Sequence, residues 1–190
     1  MHISTDRYYR DRQRHDLALR MIRHEARTCT IRCCTSLSDD RIRRLCKAAA
    51  KHQPANDSIR RRRGKAPRQI ALFTRNVQTQ FEASFLTSVF AAFGLLEATF
   101  MLEEPCVEFG EAFCDAYETH LQLLQSARLS FEHAWFLLQL LRRGSALKIT
   151  RCRYCQSKYL RDVLNVSRLD CPACELKSVP SRQRKAILTE

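Results

Sequence analysis

The sequence predicts a mainly α-helical protein with an N-terminal helix-turn-helix, a central helical core and a small C-terminal module built around four cysteines. The 190 residues contain only four glycines and five prolines, which favours helices over turn-rich β structure. Apolar residues recur at three- and four-residue intervals through most of the chain, as in amphipathic helices. Near the C terminus two CxxC pairs are separated by 15 residues, a spacing typical of structural metal sites.

The composition is that of a globular protein without a membrane span. Hydrophobic residues make up 45% of the chain and charged residues 28%, which is typical of a folded domain. The first 14 residues are charged and lack the apolar run of a signal peptide. The best candidate for a membrane span, Thr87 to Leu102, is interrupted by Glu97 and is shorter than the ~18 residues required. We therefore expect a cytoplasmic protein whose cysteines stay reduced and which has no membrane partner.

The basic residues are concentrated at the two ends of the chain. Residues 1–68 contain 19 lysines and arginines against 7 aspartates and glutamates, and residues 151–190 contain 9 against 4. Residues 69–150 carry a net charge of −4 within an overall charge of +13. Two basic blocks around a mildly acidic middle indicate a polyanionic partner, most naturally double-stranded DNA.

Residues 1–52 are expected to form a helix-turn-helix. A first helix is predicted from Asp11 to about Arg32, followed by a break at residues 34–37. Ser38 is a suitable N-cap for a second helix that extends to about Ala50. This second helix has an apolar side and a basic side: the apolar side contains Ile42, Leu45, Cys46 and Ala49, and the basic side Arg41, Arg43, Arg44 and Lys47.

A basic helix of this kind can lie in the DNA major groove, where arginine donates two hydrogen bonds to guanine. Amphipathic helix pairs are common, so a plain solvated helix is the alternative. Residues 53–68 form a predicted basic linker with the run Arg60, Arg61, Arg62 and Arg63. We expect this run to contact the phosphate backbone without sequence preference, the alternative being a merely solubilising loop.

Residues 69–147 are expected to form the helical core or, if that core is incomplete, a partner interface. Apolar spacing predicts helix from Ile70 to Leu102, broken into two pieces and ended by Pro105. A further helical region is predicted from residue 108 onward, and another from Ser130 to the C-cap Gly144.

Residues 148–190 are predicted to form a zinc module with a basic tail. Zinc prefers four sulfurs in a closed tetrahedral site, and the expected ligands are Cys152, Cys155, Cys171 and Cys174. Iron in the same sulfur cage and unmetallated thiols are the alternatives. Because the module is too small to bury its own core, one structural Zn²⁺ is expected to contribute an apparent ~10–16 kcal/mol. The basic tail, residues 180–185, is expected either to touch DNA or to be a solvated end.

These motifs together resemble the C-subunit (FlhC) family of the flagellar master transcriptional activator. The resemblance is strongest from His133-Ala-Trp through Gly144, into Thr150-Arg-Cys-Arg-Tyr-Cys155, and on to Cys171-Pro-Ala-Cys174 with its Pro-Ser-Arg tail. Residues 37–45 are similar to the second helix of the family's helix-turn-helix, residues 63–67 to its basic Gly-x-x-Pro element, and residues 82–84 to its middle helix. The resemblance covers nearly the whole chain.

Membership of this family would imply a subunit that acts with a second protein, the D subunit, in a heterohexamer of four D and two C chains. Such a complex binds DNA upstream of flagellar operons and helps to recruit RNA polymerase. The resemblance also implies that the four paired cysteines bind one zinc ion and that the basic side of the second helix faces DNA. A divergent regulator of non-flagellar genes is the alternative within the same family.

Two other classes of function are less consistent with the residues. A thiol-based redox sensor would use the clustered Cys29, Cys33 and Cys34, but a one-turn helical spacing is poor disulfide geometry and free cysteines usually pack as small apolar residues. The roles of Cys46, Cys106 and Cys114 stay open. An enzyme is not expected, because the chain has no P-loop, no glycine-rich dinucleotide turn and no HExxH motif.

Overall fold

The structure is a computed structural model that describes residues 2–51, 64–97, 106–144, 146–163 and 171–178. It is mainly helical with a C-terminal group of four cysteines, which confirms the predicted fold class. In chain order the elements are α1 (His2–Arg23), α2 (Thr28–Thr35), α3 (Asp39–Lys51), a short 3-10 helix (Ile70–Phe73), α4 (Val77–Ala92), α5 (Val107–Leu123), α6 (Phe131–Arg143), β1 (Leu147–Arg151), β2 (Lys158–Asp162) and α7 (Pro172–Ser178). None of the described helices is both long enough and apolar enough to cross a membrane.

The prediction of one helix from Asp11 to Arg32 is wrong, because the chain breaks between α1 and α2. Glu25 adopts a left-handed conformation with φ of 58°, and Arg27 is extended at the start of α2. The backbone N–H of Arg27 donates to Oε1 of the buried Glu132 at 2.8 Å. A carboxylate from α6 thus caps the start of α2, and no residue near the break predicts this contact.

The second predicted helix is present almost as expected. α3 runs from Asp39 to Lys51, and the N–H of Arg41 donates to the Ser38 hydroxyl at 3.4 Å. Ile42, in the first turn of α3, is fully buried, and α1, α2 and α3 pack against one another. Two helices joined by residues 36–38 are therefore in place, whereas their use as a DNA-reading helix-turn-helix stays a prediction.

The predicted helix from Ile70 to Leu102 is also corrected. Ile70–Phe73 is a separate 3-10 turn, and α4 begins only at Val77, because the Asn76 side chain accepts a hydrogen bond from Thr79 N at 2.7 Å and caps the helix there. α4 ends at Ala92. The predicted second piece and its end at Pro105 fall largely in residues 98–105, outside the described part of the chain.

α4 is the central helix, and its most buried face is partly polar. Gln80, Glu82, Ser84 and Thr87 are buried together with apolar neighbours, whereas Phe81 and Phe85 of the predicted apolar stripe are only half-buried. The polar side chains have partners: Oε1 of Glu82, for example, accepts from the backbone N–H groups of Arg128 and Leu129 at 2.8 and 2.7 Å. α4 contacts α5, α6 and the C-terminal module on different sides, so one apolar stripe does not describe it.

The helices α5 and α6 confirm the predictions for residues 108–144. α6 begins after Ser130, whose hydroxyl accepts from His133 N, and ends at Gly144, which has a left-handed φ of 63°. α5 approaches the N-terminal helices closely at Gly110. A Cβ atom there would lie 2.6 Å from Cδ2 of Leu17 and 2.8 Å from Cβ of Cys34, so only glycine allows this packing without a shift.

Ion pairs add to the contact between α1 and α5. The Arg20 guanidinium contacts Glu111, Asp115 and Glu118, with the Glu111 and Glu118 oxygens at 2.7 Å. Hydrogen bonds from Arg20, and then from His24, lower the pKa of Glu118 from 4.5 to about 2. Much of the acidic charge of residues 69–150 on this face is therefore paired with a basic residue of the N-terminal block.

The C-terminal module is an antiparallel hairpin followed by a short helix, and it docks on α4. β1 and β2 pair from Leu147 opposite Asp162 to Arg151 opposite Lys158. Leu147 and Leu160 belong to the main hydrophobic core. Packing against α4 therefore supplies part of the core that the module is too small to form alone, in addition to the expected contribution of the metal.

Candidate metal centre and basic surfaces

Two tight turns bring the four paired cysteines together. Cys152 follows β1 directly, and its backbone N–H donates to Ser157 O at 2.9 Å, closing the turn that carries Cys155. Gln156 adopts a left-handed φ of 59° in this turn. On the other side, Cys171 precedes α7 and Cys174 lies in its first turn. The hairpin and α7 thus hold one CxxC pair each.

The sulfur positions suit a four-coordinate metal ion. All four Sγ atoms lie within 4.8 Å of one another. Sγ of Cys152 is 3.9 Å from that of Cys174, and Sγ of Cys155 is 3.4 Å from that of Cys171. A zinc–sulfur distance of ~2.3 Å in a tetrahedron places sulfurs about 3.8 Å apart. The four cysteines therefore form a group that can hold a metal ion.

Backbone N–H groups point at the sulfurs, as thiolate ligands require. Tyr154 N donates to Cys152 Sγ at 3.4 Å, and Cys174 N donates to Cys171 Sγ at 3.3 Å. Hydrogen bonds from Ser157 lower the pKa of Cys155 to about 6, whereas the neighbouring Cys155 and Cys171 raise the pKa of Cys174 to about 12. Four thiolates this close repel one another unless a cation lies between them, so the donor set fits a soft divalent ion.

The site has a structural rather than a catalytic character. Cys152 and Cys171 are buried, and they pack with Tyr159 in a small apolar cluster next to the sulfurs. All four positions of a tetrahedral ion would be filled by protein sulfur, which leaves none for water or substrate. A metal bound here would join the hairpin to α7.

The four predicted DNA-facing residues of α3 are all exposed, but they are not electrostatically equivalent. Arg41 pairs with Asp11 of α1 at 2.7 Å, and Arg43 pairs with Asp40 one turn before it at 2.8 Å. Arg44 and Lys47 have no ion pair within the described residues. The charge available on this face is consequently smaller than the sequence indicates and is concentrated on these last two residues.

The arginine run Arg60, Arg61, Arg62 and Arg63 and the tail at residues 180–185 lie outside the described residues. Gly64, which follows the run, is described. Its carbonyl accepts a hydrogen bond from Arg27 Nη1 at 2.6 Å. The end of the basic linker is thereby tied to the start of α2.

A second group of exposed basic residues was missed at the sequence level. Arg151, Arg153 and Lys158 lie at the closed end of the hairpin, next to the cysteines. Arg151 and Lys158 are direct cross-strand partners. Because they are seven positions apart in the sequence, only the strand register reveals that they meet.

The remaining cysteines divide into buried and exposed groups. Burial raises the pKa of Cys34 far above its usual range and that of Cys114 to about 12. Thiols held neutral in this way are poor nucleophiles. Cys29 and Cys33 are exposed on α2, where they remain accessible to modification.

Comparison with known proteins gives one family. The family model described as "Flagellar transcriptional activator (FlhC)" matches residues 4–188, nearly the whole chain. No curated protein gives a significant match. The match spans the α2–α3 pair, the central helices and both CxxC pairs.

Proposed function

Since the chain belongs to the flagellar transcriptional activator (FlhC) family, we propose that it binds double-stranded DNA upstream of flagellar operons and activates their transcription. In this role it acts with a D-type partner subunit, in a complex of four D and two C chains, and with RNA polymerase in the cytoplasm. The family is one of transcriptional regulators, which is not an enzyme class.

The exposed basic face of α3 is the observation that carries the DNA-binding part of this proposal. Ile42 anchors the helix in the core while Arg44 and Lys47 extend from its outer side. A helix anchored in this way can enter a major groove and present long basic side chains to base edges and phosphates. Arg41, which is paired with Asp11 of α1, helps to hold α3 against α1, whereas the pair of Arg43 with Asp40 lies within α3 itself.

One zinc ion bound by Cys152, Cys155, Cys171 and Cys174 fits the C-terminal module best. The sulfur-only donor set and the closed tetrahedral spacing favour zinc over harder divalent ions. Its contribution is folding energy, because it joins two segments that share few other contacts. A stably folded module in turn completes the surface that packs on α4.

The DNA-binding role is tested with the double variant R44Q/K47Q, assayed with the D-type partner on flagellar promoter DNA and on a random duplex. Base contacts are worth ~1–3 kcal/mol each, so promoter affinity should fall by at least that amount and random-duplex affinity by less. The control is R75Q/R143Q, which removes the same charge from two exposed residues away from α3. Equal losses on both DNAs would mean that α3 contacts phosphates only.

The redox-sensor alternative has a separate test. Mild oxidant should leave DNA affinity unchanged, because the buried Cys34 and Cys114 are protected and Cys29 and Cys33 lie one helical turn apart. A large loss that C29S/C33S prevents would establish thiol regulation instead.

A further inference from the structure

The β1–β2 hairpin places like charges opposite each other at its closed end. In the observed register Arg151 faces Lys158 directly, and Lys148 faces Arg161 three residues further on. Directly opposed side chains have Cβ atoms ~4.5–5.5 Å apart, and like charges in such pairs destabilise the sheet. Two such pairs in a hairpin with five-residue strands impose a cost on folding that a binding partner can offset.

The pair nearer the cysteines is the accessible one. Arg151 and Lys158 are both exposed, whereas Arg161 of the other pair is half-buried. Neither Arg151 nor Lys158 has an ion pair with a described carboxylate, in contrast to Arg41 and Arg43 on α3. The hairpin end therefore keeps its positive charge facing solvent.

An exposed aromatic group continues this surface. Tyr154 is 65% exposed, and the Arg153 guanidinium lies over its ring at 4.8 Å from the centroid. This stacking holds a third basic side chain in the turn beside the Arg151–Lys158 pair. Tyrosine hydroxyls and arginine guanidinium groups are both frequent donors to phosphate oxygens.

We propose that Arg151, Arg153, Tyr154 and Lys158 form a second DNA-contacting surface, the hairpin tip, which binds the phosphate backbone independently of α3. This proposal rests on the DNA-binding function above and adds a separate site to it. The metal would then have a second role, because it fixes the turn that carries Arg153 and Tyr154. Contacts to phosphate give affinity and register but no sequence preference.

A competing explanation is that the basic residues only neutralise the metal site. A divalent ion with four thiolates carries a net charge of −2, and Arg151 and Arg153 flank Cys152. The side chains of Lys158 and Arg153, however, are exposed to solvent. Neutralisation predicts loss of metal when these charges are removed, whereas DNA contact predicts loss of affinity with the metal retained.

The test compares R151Q/K158Q with K148Q/R161Q in the full-length, metal-replete protein on a random duplex between about 0.05 and 0.2 M salt. Each lost phosphate contact lowers the slope of log affinity against log salt by ~0.9. The tip variant should lose ~1.8 of slope and about 30-fold in affinity near 0.15 M salt. The control removes the same charge from the other cross-strand pair of the same hairpin and should change the slope much less.

Three results would overturn the inference: an equal loss in both variants, an unchanged slope in the tip variant, or an affinity loss that follows loss of metal. The single variant Y154F, which keeps the ring and removes only the hydroxyl, gives a second measurement of DNA affinity with little risk to folding. A wild-type protein that ignores duplex DNA would refute the proposed function itself. Wild-type binding with an unaffected tip variant would refute the hairpin tip alone.

Discussion

A buried hydroxyl, that of Ser84, contributes to the attachment of the C-terminal module to α4, and Ser84→Ala tests this contribution. The N–H of Leu160, a fully buried residue of β2, donates to Ser84 Oγ at 2.9 Å. The Leu160 carbonyl accepts a second hydrogen bond, from Gln80 Nε2, also at 2.9 Å. Removing the Ser84 hydroxyl leaves the Leu160 N–H buried without a partner, which costs ~1–3 kcal/mol.

Ser88→Ala is the matched control for this experiment. Ser88 lies one turn further along α4, is exposed, and its hydroxyl donates only to Ser84 O at 3.2 Å. Both substitutions gain the same small helix propensity of alanine, so the difference between them isolates the contact to β2. Urea unfolding should place Ser84→Ala about 1–3 kcal/mol below Ser88→Ala, with faster hydrogen exchange at the Leu160 amide. Equal stabilities and an unchanged Leu160 exchange rate would refute this account of the docking.

Two further perturbations test the metal site and the helical body. Cys171→Ser should release the metal and unfold the module while the helices persist, whereas the control Cys29→Ser, at an exposed position, should do neither. Metal analysis and circular dichroism measure the two effects. A metal-replete Cys171→Ser protein would contradict the prediction. Glu118, whose pKa falls to about 2 mainly through its hydrogen bond with Arg20, stabilises the fold above pH ~4.5 and loses that contribution between pH ~4.5 and ~2. Glu118→Gln should therefore cost ~1 kcal/mol near neutral pH after solvent screening and flatten acid unfolding in that range, and an unchanged acid limb would count against it.

Local signals predicted much of the fold. Ser38, Ser130 and Gly144 mark helix ends through their own side chains or backbone, and each of these three helix ends lies where it was predicted. The two CxxC pairs predicted a single site because short turns bring each pair of sulfurs together. Within each CxxC pair and at each of these helix ends, the signal depends on residues only a few positions apart in the sequence.

Features that depend on distant residues could not be predicted in this way. The break before α2 is capped by Glu132, which lies 105 positions from Arg27. The polar side chains of α4 are buried because partners in the loop after α5 and in β2 satisfy them, so hydrophobic periodicity identified only part of its buried surface. Likewise the pairing of Arg41 with Asp11 required the packing of α3 on α1 to be known.

The central claim is that this chain is a metal-stabilised DNA-binding subunit of a flagellar activator. The most direct test is the ratio of affinities of the metal-replete protein, together with the proposed D-type partner, for flagellar promoter DNA and for a random duplex of equal length. A specific regulator should prefer the promoter by ~10³-fold or more at physiological salt. Equal affinity for the two duplexes would contradict the account.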